Sequence, residues 1–139
     1  MPTNTVLLVE DNPDDEQLIL RALKQTGITE TIEVTRNGRE AVDYLLGVAA
    51  PPRLVLLDLK LPKMGGLEVL QALRLDNKTR MIPVVVFTSS IEKTDVLTSY
   101  DLGANSYIRK PVDYRQLTDV VKLIVSYWLQ TNVSPPQER

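Results

Sequence analysis

Val6-Leu7-Leu8-Val9 runs straight into Glu10-Asp11: four consecutive aliphatic residues stopped by two acids. A strand with one wet face alternates apolar and polar residues. A short run that is apolar at every position reads instead as a strand covered on both sides, the signature of a parallel sheet sandwiched by helices. The same design recurs three times. Leu54-Val55-Leu56-Leu57 stops on Asp58, Val84-Val85-Val86-Phe87 on Thr88-Ser89, and Tyr107-Ile108 on Arg109-Lys110-Pro111. Parallel strands that start together end together. Three carboxylates, a hydroxyl and an ammonium are therefore expected to meet at the carboxyl edge of one sheet, where open α/β folds bind ligands.

Helical patterns separate these runs. Asn12 caps a first helix with Pro13 at its first position and Asp14 and Asp15 at its positive end. Leu18, Ile19, Ala22 and Leu23 form its buried stripe, and Gly27 ends it. Ile32-Glu33-Val34-Thr35 alternates, as a half-exposed edge strand should. A second helix follows Asn37-Gly38, buries Ala41, Val42, Leu45 and Leu46, and stops at Gly47; residues 48–53 are a loop. Gly65-Gly66 opens a third helix carrying Leu67, Leu70 and Leu73. Ser89 and Glu92 have capping-box spacing for a fourth helix that ends at Gly103. Asp113 with Gln116 starts a fifth, running to about Trp128. Residues 1–129 thus form one domain, and 130–139, with Pro135-Pro136, are expected to be a disordered tail. The alternating order of strands and helices, with right-handed crossovers, gives a flavodoxin-like doubly wound sheet of five parallel strands and five helices. Strand order 2-1-3-4-5 places the alternating strand at an edge and the aliphatic strands inside.

Composition narrows the chemistry. The 139 residues carry 16 Lys and Arg against 18 Asp and Glu, a net charge of −2, so no global field draws the chain to nucleic acid or membrane. No apolar stretch approaches the ~18 residues of a membrane span. There is no cysteine, which suits a cytoplasmic setting, and no histidine, so imidazole catalysis and His-borne phosphate are excluded within this polypeptide.

Glu10, Asp11 and Asp58 gathered at one edge repel one another unless a cation sits among them. An incomplete set of hard oxygen ligands suits Mg²⁺, which keeps several waters and accepts one or two carboxylates plus phosphate oxygens. Asp58 is then the candidate nucleophile, since a carboxylate attacks phosphorus to give an aspartyl-phosphate. Lys110 is placed to neutralise charge on the phosphoryl oxygens and the Thr88 hydroxyl to donate to one.

Val9-Glu10-Asp11-Asn12, Asp58-x-x-x-Pro62-x-x-x-Gly66, Thr88-Ser89 and Lys110-Pro111 stand at the spacing of the receiver domains of two-component response regulators, and the resemblance covers residues 5–128. It implies that Asp58 takes its phosphoryl group from a phosphohistidine of a sensor histidine kinase. It implies Mg²⁺ held by Asp11, Asp58 and the backbone carbonyl of Lys60, with Glu10 acting through water. It further implies a cis peptide before Pro111 and a switch pair, Thr88 and Tyr107, that reports phosphorylation to the surface built from the fourth helix, fifth strand and fifth helix. The stretches 6–15 and 58–64, with the Tyr127-Trp128-Leu129 ending, resemble the single-domain regulators paired with bacterial and cyanobacterial phytochromes. Four residues depart from the commonest receiver pattern: Glu10 replaces an Asp, Lys60 puts a cation at the mouth of the site, and Ser89 and Ser90 replace small apolar residues.

The sequence therefore reads as a stand-alone signalling module that catalyses only its own phosphorylation and dephosphorylation. A phosphorylation-independent pseudo-receiver is disfavoured by the complete acid, Thr and Lys set. A hydrolase of the Asp-nucleophile type usually has a second Asp where Lys60 stands. A flavin phosphate would be repelled by the acids at 11–15. In the fifth helix, Leu117, Val121, Ile124 and Trp128 make the sheet-facing stripe, which leaves Val120, Leu123, Val125 and Tyr127 over. A helix apolar nearly all round predicts a symmetric homodimer through Val120, Leu123 and Tyr127.

Overall fold

Parallel pairing runs through all five strands of the computed structural model, which describes residues 4–136. The strands are β1 (Thr5–Val9), β2 (Thr31–Thr35), β3 (Leu54–Leu57), β4 (Val84–Thr88) and β5 (Ser106–Arg109), in the order β2-β1-β3-β4-β5. Between them lie α1 (Pro13–Gln25), α2 (Gly38–Gly47), α3 (Gly66–Leu75) and α4 (Lys93–Asp101). The helix α5 (Tyr114–Val125) follows β5.

Period-two geometry splits the aliphatic runs between two cores. Val6, Leu8, Leu54, Leu56, Val85 and Phe87 face α1 and α5, meeting Ile19, Leu23, Leu117, Val121 and Ile124. Leu7, Val9, Val55, Leu57 and Val84 face α2 and α3, meeting Ala41, Leu45, Val69 and Leu70. Both faces are covered, which is why β1, β3 and β4 tolerate no polar alternation. β2 alternates exposed and half-buried residues up to the buried Thr35, which fits its place at the edge. From the end of α3, the half-buried Arg74 guanidinium donates to the carbonyls of Gly103, Arg80 and Ile82 and to Asn105 Oδ1, pinning the turn between α4 and β5.

Several local expectations are corrected. Leu46 lies on the outer side of α2 and is exposed. Ser89 and Glu92 form no capping box: the Ser90 hydroxyl donates to Asp95 Oδ2 at 2.6 Å and accepts from the Glu92 amide, and α4 starts at Lys93. The fifth helix does not stop at Trp128 but widens into a π-turn over Ser126–Thr131. A turn of i→i+5 bonds delays the next inward position. Leu129, not Trp128, is therefore the buried residue, and its carbonyl accepts from Arg53 at 2.9 Å. Val125 is buried too, and Val120 packs partly against the core, so the outer side of α5 keeps Leu123 (70% exposed) and Tyr127 (50%). Beyond the helix, Ser134, Pro135 and Pro136 line a cavity of about 160 Å³ with Pro51, Pro52 and Pro83, at the opposite edge of the sheet from the acids.

Candidate functional site

The strand ladders continue one step past the strands. The Glu10 amide donates to the Thr35 carbonyl at 3.0 Å, that of Asp58 to Val9 at 3.1 Å, and that of Lys110 to Thr88 at 2.7 Å. Glu10, Asp58 and Lys110 also stand two residues beyond Leu8, Leu56 and Ile108, so each inherits the side of the sheet that faces α1 and α5. Backbone register alone delivers an acid, a second acid and an ammonium to one spot.

Their contacts are close. Lys110 Nζ donates to Glu10 Oε1 at 2.7 Å, Asp15 Oδ2 at 3.0 Å and Asp58 Oδ2 at 3.3 Å. Glu10 is 1% exposed, Asp58 and Lys110 7% each. Asp15 comes from the first turn of α1, whose Asn12 cap takes the Asp15 amide at 3.0 Å while the Asn12 amide donates to Glu10 Oε2 at 3.2 Å. The other oxygen of Asp58, Oδ1, accepts from the amides of Leu59 at 2.7 Å and Lys60 at 3.4 Å. The Asp58 carboxylate is thus held on one oxygen by its own loop and on the other by Lys110.

That loop depends on Gly66. Its amide donates to the Leu59 carbonyl at 3.0 Å, and a Cβ there would collide with the Asp58 carbonyl and lie 2.7 Å from Leu59 Cα. The Asp58-to-Gly66 spacing in the sequence is the signature of this fold-back.

Charge sets the protonation. Burial outweighs the Lys110 hydrogen bond and raises Glu10 to about 7, with the Asp58 charge adding to the rise. Burial works against the Lys110 ammonium, but its bonds to Glu10 and Asp15 and the charge of Asp58 overcome it and hold the proton more tightly than in water. Glu10, Asp11 and Asp58 each offer a carboxylate oxygen, and these oxygens lie within 4.8 Å of one another, with Asp11 on the solvent side. Hard oxygen donors at that spacing, two of them buried and sharing a single ammonium, fit a divalent cation.

The remaining predicted residues fall around this centre. Thr88 is fully buried and its hydroxyl oxygen is 3.5 Å from the Ser90 amide. The Tyr107 hydroxyl donates to the Ser90 carbonyl at 2.8 Å, so Ser90 connects the two. Lys60 is exposed beside Asp58. The expected cis bond at Pro111 is absent: among the described residues every peptide is trans, and Lys110 is placed by its ladder bond and its three acceptors. Sequence reading placed Asp15 only at the positive end of the first helix and Ser90 only as a departure from the receiver pattern, not as partners of Lys110 and Tyr107. Asp15 was legible as the third residue of a helix that starts at the site; nothing in the sequence marked Ser90 as a junction.

The profile of the response regulator receiver domain matches residues 6–122. The probable methanogenesis regulatory protein FilR2 of Methanothrix harundinacea is 44% identical over 134 residues, covering 94% of this chain and 86% of its own. Response regulator Rcp1 of Synechocystis sp. is 37% identical and covers 96% and 95%. Its Mn²⁺-bound form superposes with a TM-score of 0.88 at 36% identity, covering 95% and 99%. The crystal structure of the phosphorylated cyanobacterial phytochrome response regulator RcpA superposes with a TM-score of 0.91 at 40% identity, covering 96% and 99%. Sheet order, acidic edge, buried lysine and relatives agree, and the chain belongs to the response regulator receiver family, with phytochrome response regulators among its relatives.

Proposed function

We propose that this chain is a phosphorylatable signalling module in which Asp58 accepts a phosphoryl group from a phosphohistidine of a sensor histidine kinase, with Mg²⁺ bound. One observation carries the reading: the Asp58 carboxylate shares its buried site with Glu10, Asp11 and the Lys110 ammonium. In the reaction a carboxylate oxygen of Asp58 forms the bond to phosphorus, and the P–N electron pair leaves with the imidazole, which takes up a proton. Asp11, Asp58 and the Lys60 carbonyl would hold the metal directly and Glu10 through water. When bound, the metal supplies positive charge opposite the phosphoryl oxygens. Lys110 is tethered close enough to Asp58 Oδ2 to exchange that contact for a phosphoryl oxygen, and the Thr88 hydroxyl turns to another. Chemistry on the chain ends with its own phosphorylation and dephosphorylation.

Similarity to RcpA and Rcp1 supports a phytochrome kinase as donor. An ATP-fed kinase places the exchange in the cytoplasm, and no helix among the described residues is long and apolar enough to cross a membrane. The output surface is the face of α4, β5 and α5, where exposed Leu123 and Tyr127 favour a homodimer and Thr88 and Tyr107 relay the change. Neither nucleic acid nor membrane enters this reading.

Incubation with a purified sensor kinase, labelled ATP and Mg²⁺ tests the proposal. Label should appear on the chain, resist acid, yield to hydroxylamine, and vanish in Asp58→Asn. Full labelling of Asp58→Asn would reject Asp58 as the acceptor. Asp11→Asn should lose metal binding and labelling together.

A further inference from the structure

Lys60 begins beside the reacting carboxylate, with its amide 3.4 Å from Asp58 Oδ1, yet its ammonium is turned away, 4.0 Å from Asp95 Oδ2. The carboxylate it faces is well held. Asp95 sits in the first turn of α4, where the helix dipole favours an anion, and Oδ2 accepts the Ser90 hydroxyl at 2.6 Å. The Lys60 side chain is two-thirds exposed and that of Asp95 mostly covered, so the anion is the fixed partner and the cation the free one.

We infer that Lys60 is a ligand for the phosphoryl group on Asp58, and that Asp95 is a positioning residue that competes for its ammonium when the site is empty. This rests on Asp58 being the phosphoacceptor. A phosphoryl group brings to Asp58 more negative charge than the carboxylate alone, within the span of a lysine stem rooted two residues away. An exposed pair at 4.0 Å is weakly held and exchanges readily. The swap leaves Asp95 with Ser90 alone, at the start of the helix on the proposed output face.

The test is a calorimetric titration with beryllofluoride, an anionic phosphoryl mimic, in excess Mg²⁺. Four proteins are compared: the unaltered chain, Asp95→Asn, Lys60→Met and the double variant. Asp95→Asn should tighten binding about threefold, the scale that exposed pairs reach in an equilibrium constant, and Lys60→Met should weaken it by a similar factor. With Lys60→Met already present, Asp95→Asn should change nothing, because its effect runs through the missing ammonium. Tightening that survives in the double variant would show Asp95 acting by its own charge and overturn the inference, as would an Asp95→Asn protein that binds no tighter. Failure of the unaltered chain to bind the probe at all would instead reject the phosphoacceptor reading. In metal-free protein the ¹³C resonance of the Asp95 carboxylate should move on Lys60→Met; an unmoved resonance would show that the pair does not exist in solution.

Discussion

Removing the Lys110 ammonium is the severest test of how this site is held together. Lys110→Ala deletes three charge-assisted hydrogen bonds, at 2.7, 3.0 and 3.3 Å, and leaves Glu10 and Asp58 buried without their cation. Breaking a buried pair by removing one partner typically costs 3–5 kcal/mol. Here the cost depends on pH, because Glu10 has a way out. Its carboxyl lies at about 7 in the folded protein against an ordinary 4.5. A raised acid adds stability that is complete below its unfolded value and is lost as pH rises through the folded one, here between 4.5 and about 7. At pH 6 Glu10 is already largely neutral, so the variant loses mainly the bonds to Asp58 and Asp15, about 2 kcal/mol. At pH 8 the ordinary protein holds Glu10 ionised against Lys110, whereas in the variant the carboxyl rises further and stays protonated. That difference adds about 1.4 kcal/mol, one unit of pH, for a total of about 3.5 kcal/mol. Urea unfolding in EDTA at both pH values measures it. The variant should still bind Mg²⁺, and saturation at a hundred times the dissociation constant should return about 2.7 kcal/mol. A loss under about 1 kcal/mol at both pH values, or a loss that shrinks as pH rises, would refute the assignment of Lys110 as the counter-charge of this site.

Mg²⁺ binding by the unaltered chain should weaken about tenfold from pH 8 to pH 6, because the proton on Glu10 must leave as the cation arrives. Calorimetry should show that slope flattened in Glu10→Gln. Gly66→Ala should destabilise the fold by about 2 kcal/mol in thermal unfolding, since its Cβ meets backbone on the Asp58 loop that cannot rotate aside. It should also impair metal binding; an unchanged melting temperature would mean that the loop is slack. Sedimentation at micromolar concentration should show a dimer favoured by phosphorylation and lost in Tyr127→Asp. A monomer in both states would end the dimer reading, and a dimer that survives Tyr127→Asp would place the interface elsewhere.

Much of the site was legible because it is written in backbone register. Once β1, β3 and β5 are parallel, alternation carries Val6-Leu8 to Glu10, Leu54-Leu56 to Asp58, and Ile108 to Lys110 on one side of the sheet. No side-chain detail is needed for that. Local spacing was a poorer guide where two hydrogen-bonding options compete. Ser89 and Glu92 have capping-box spacing, but the Ser90 hydroxyl finds Asp95 and the helix begins at Lys93 without that box. The α-helical period predicted Trp128 inside; one π-turn moves the inward position to Leu129, and a change of winding leaves no mark on apolar periodicity when both neighbours are apolar. Leu46 shows the same limit, since an apolar residue next to a buried one belongs to the stripe only if the neighbouring element reaches it.

The placement of Asp15 shows how capping and chemistry converge. Asn12 ends the loop from β1 and accepts the Asp15 amide, while its own amide holds Glu10 Oε2. A single cap therefore fixes two of the three acceptors of Lys110 relative to each other, one on a strand end and one on a helix start. The third, Asp58, is fixed from the opposite side by the amides of Leu59 and Lys60. The ammonium sits between two independently anchored groups of oxygens, and each group is ordered by backbone. Such a site keeps its geometry when the counter-charge changes from an ammonium to a metal or back. That is the property a phosphoryl acceptor needs, because its own charge changes with every cycle.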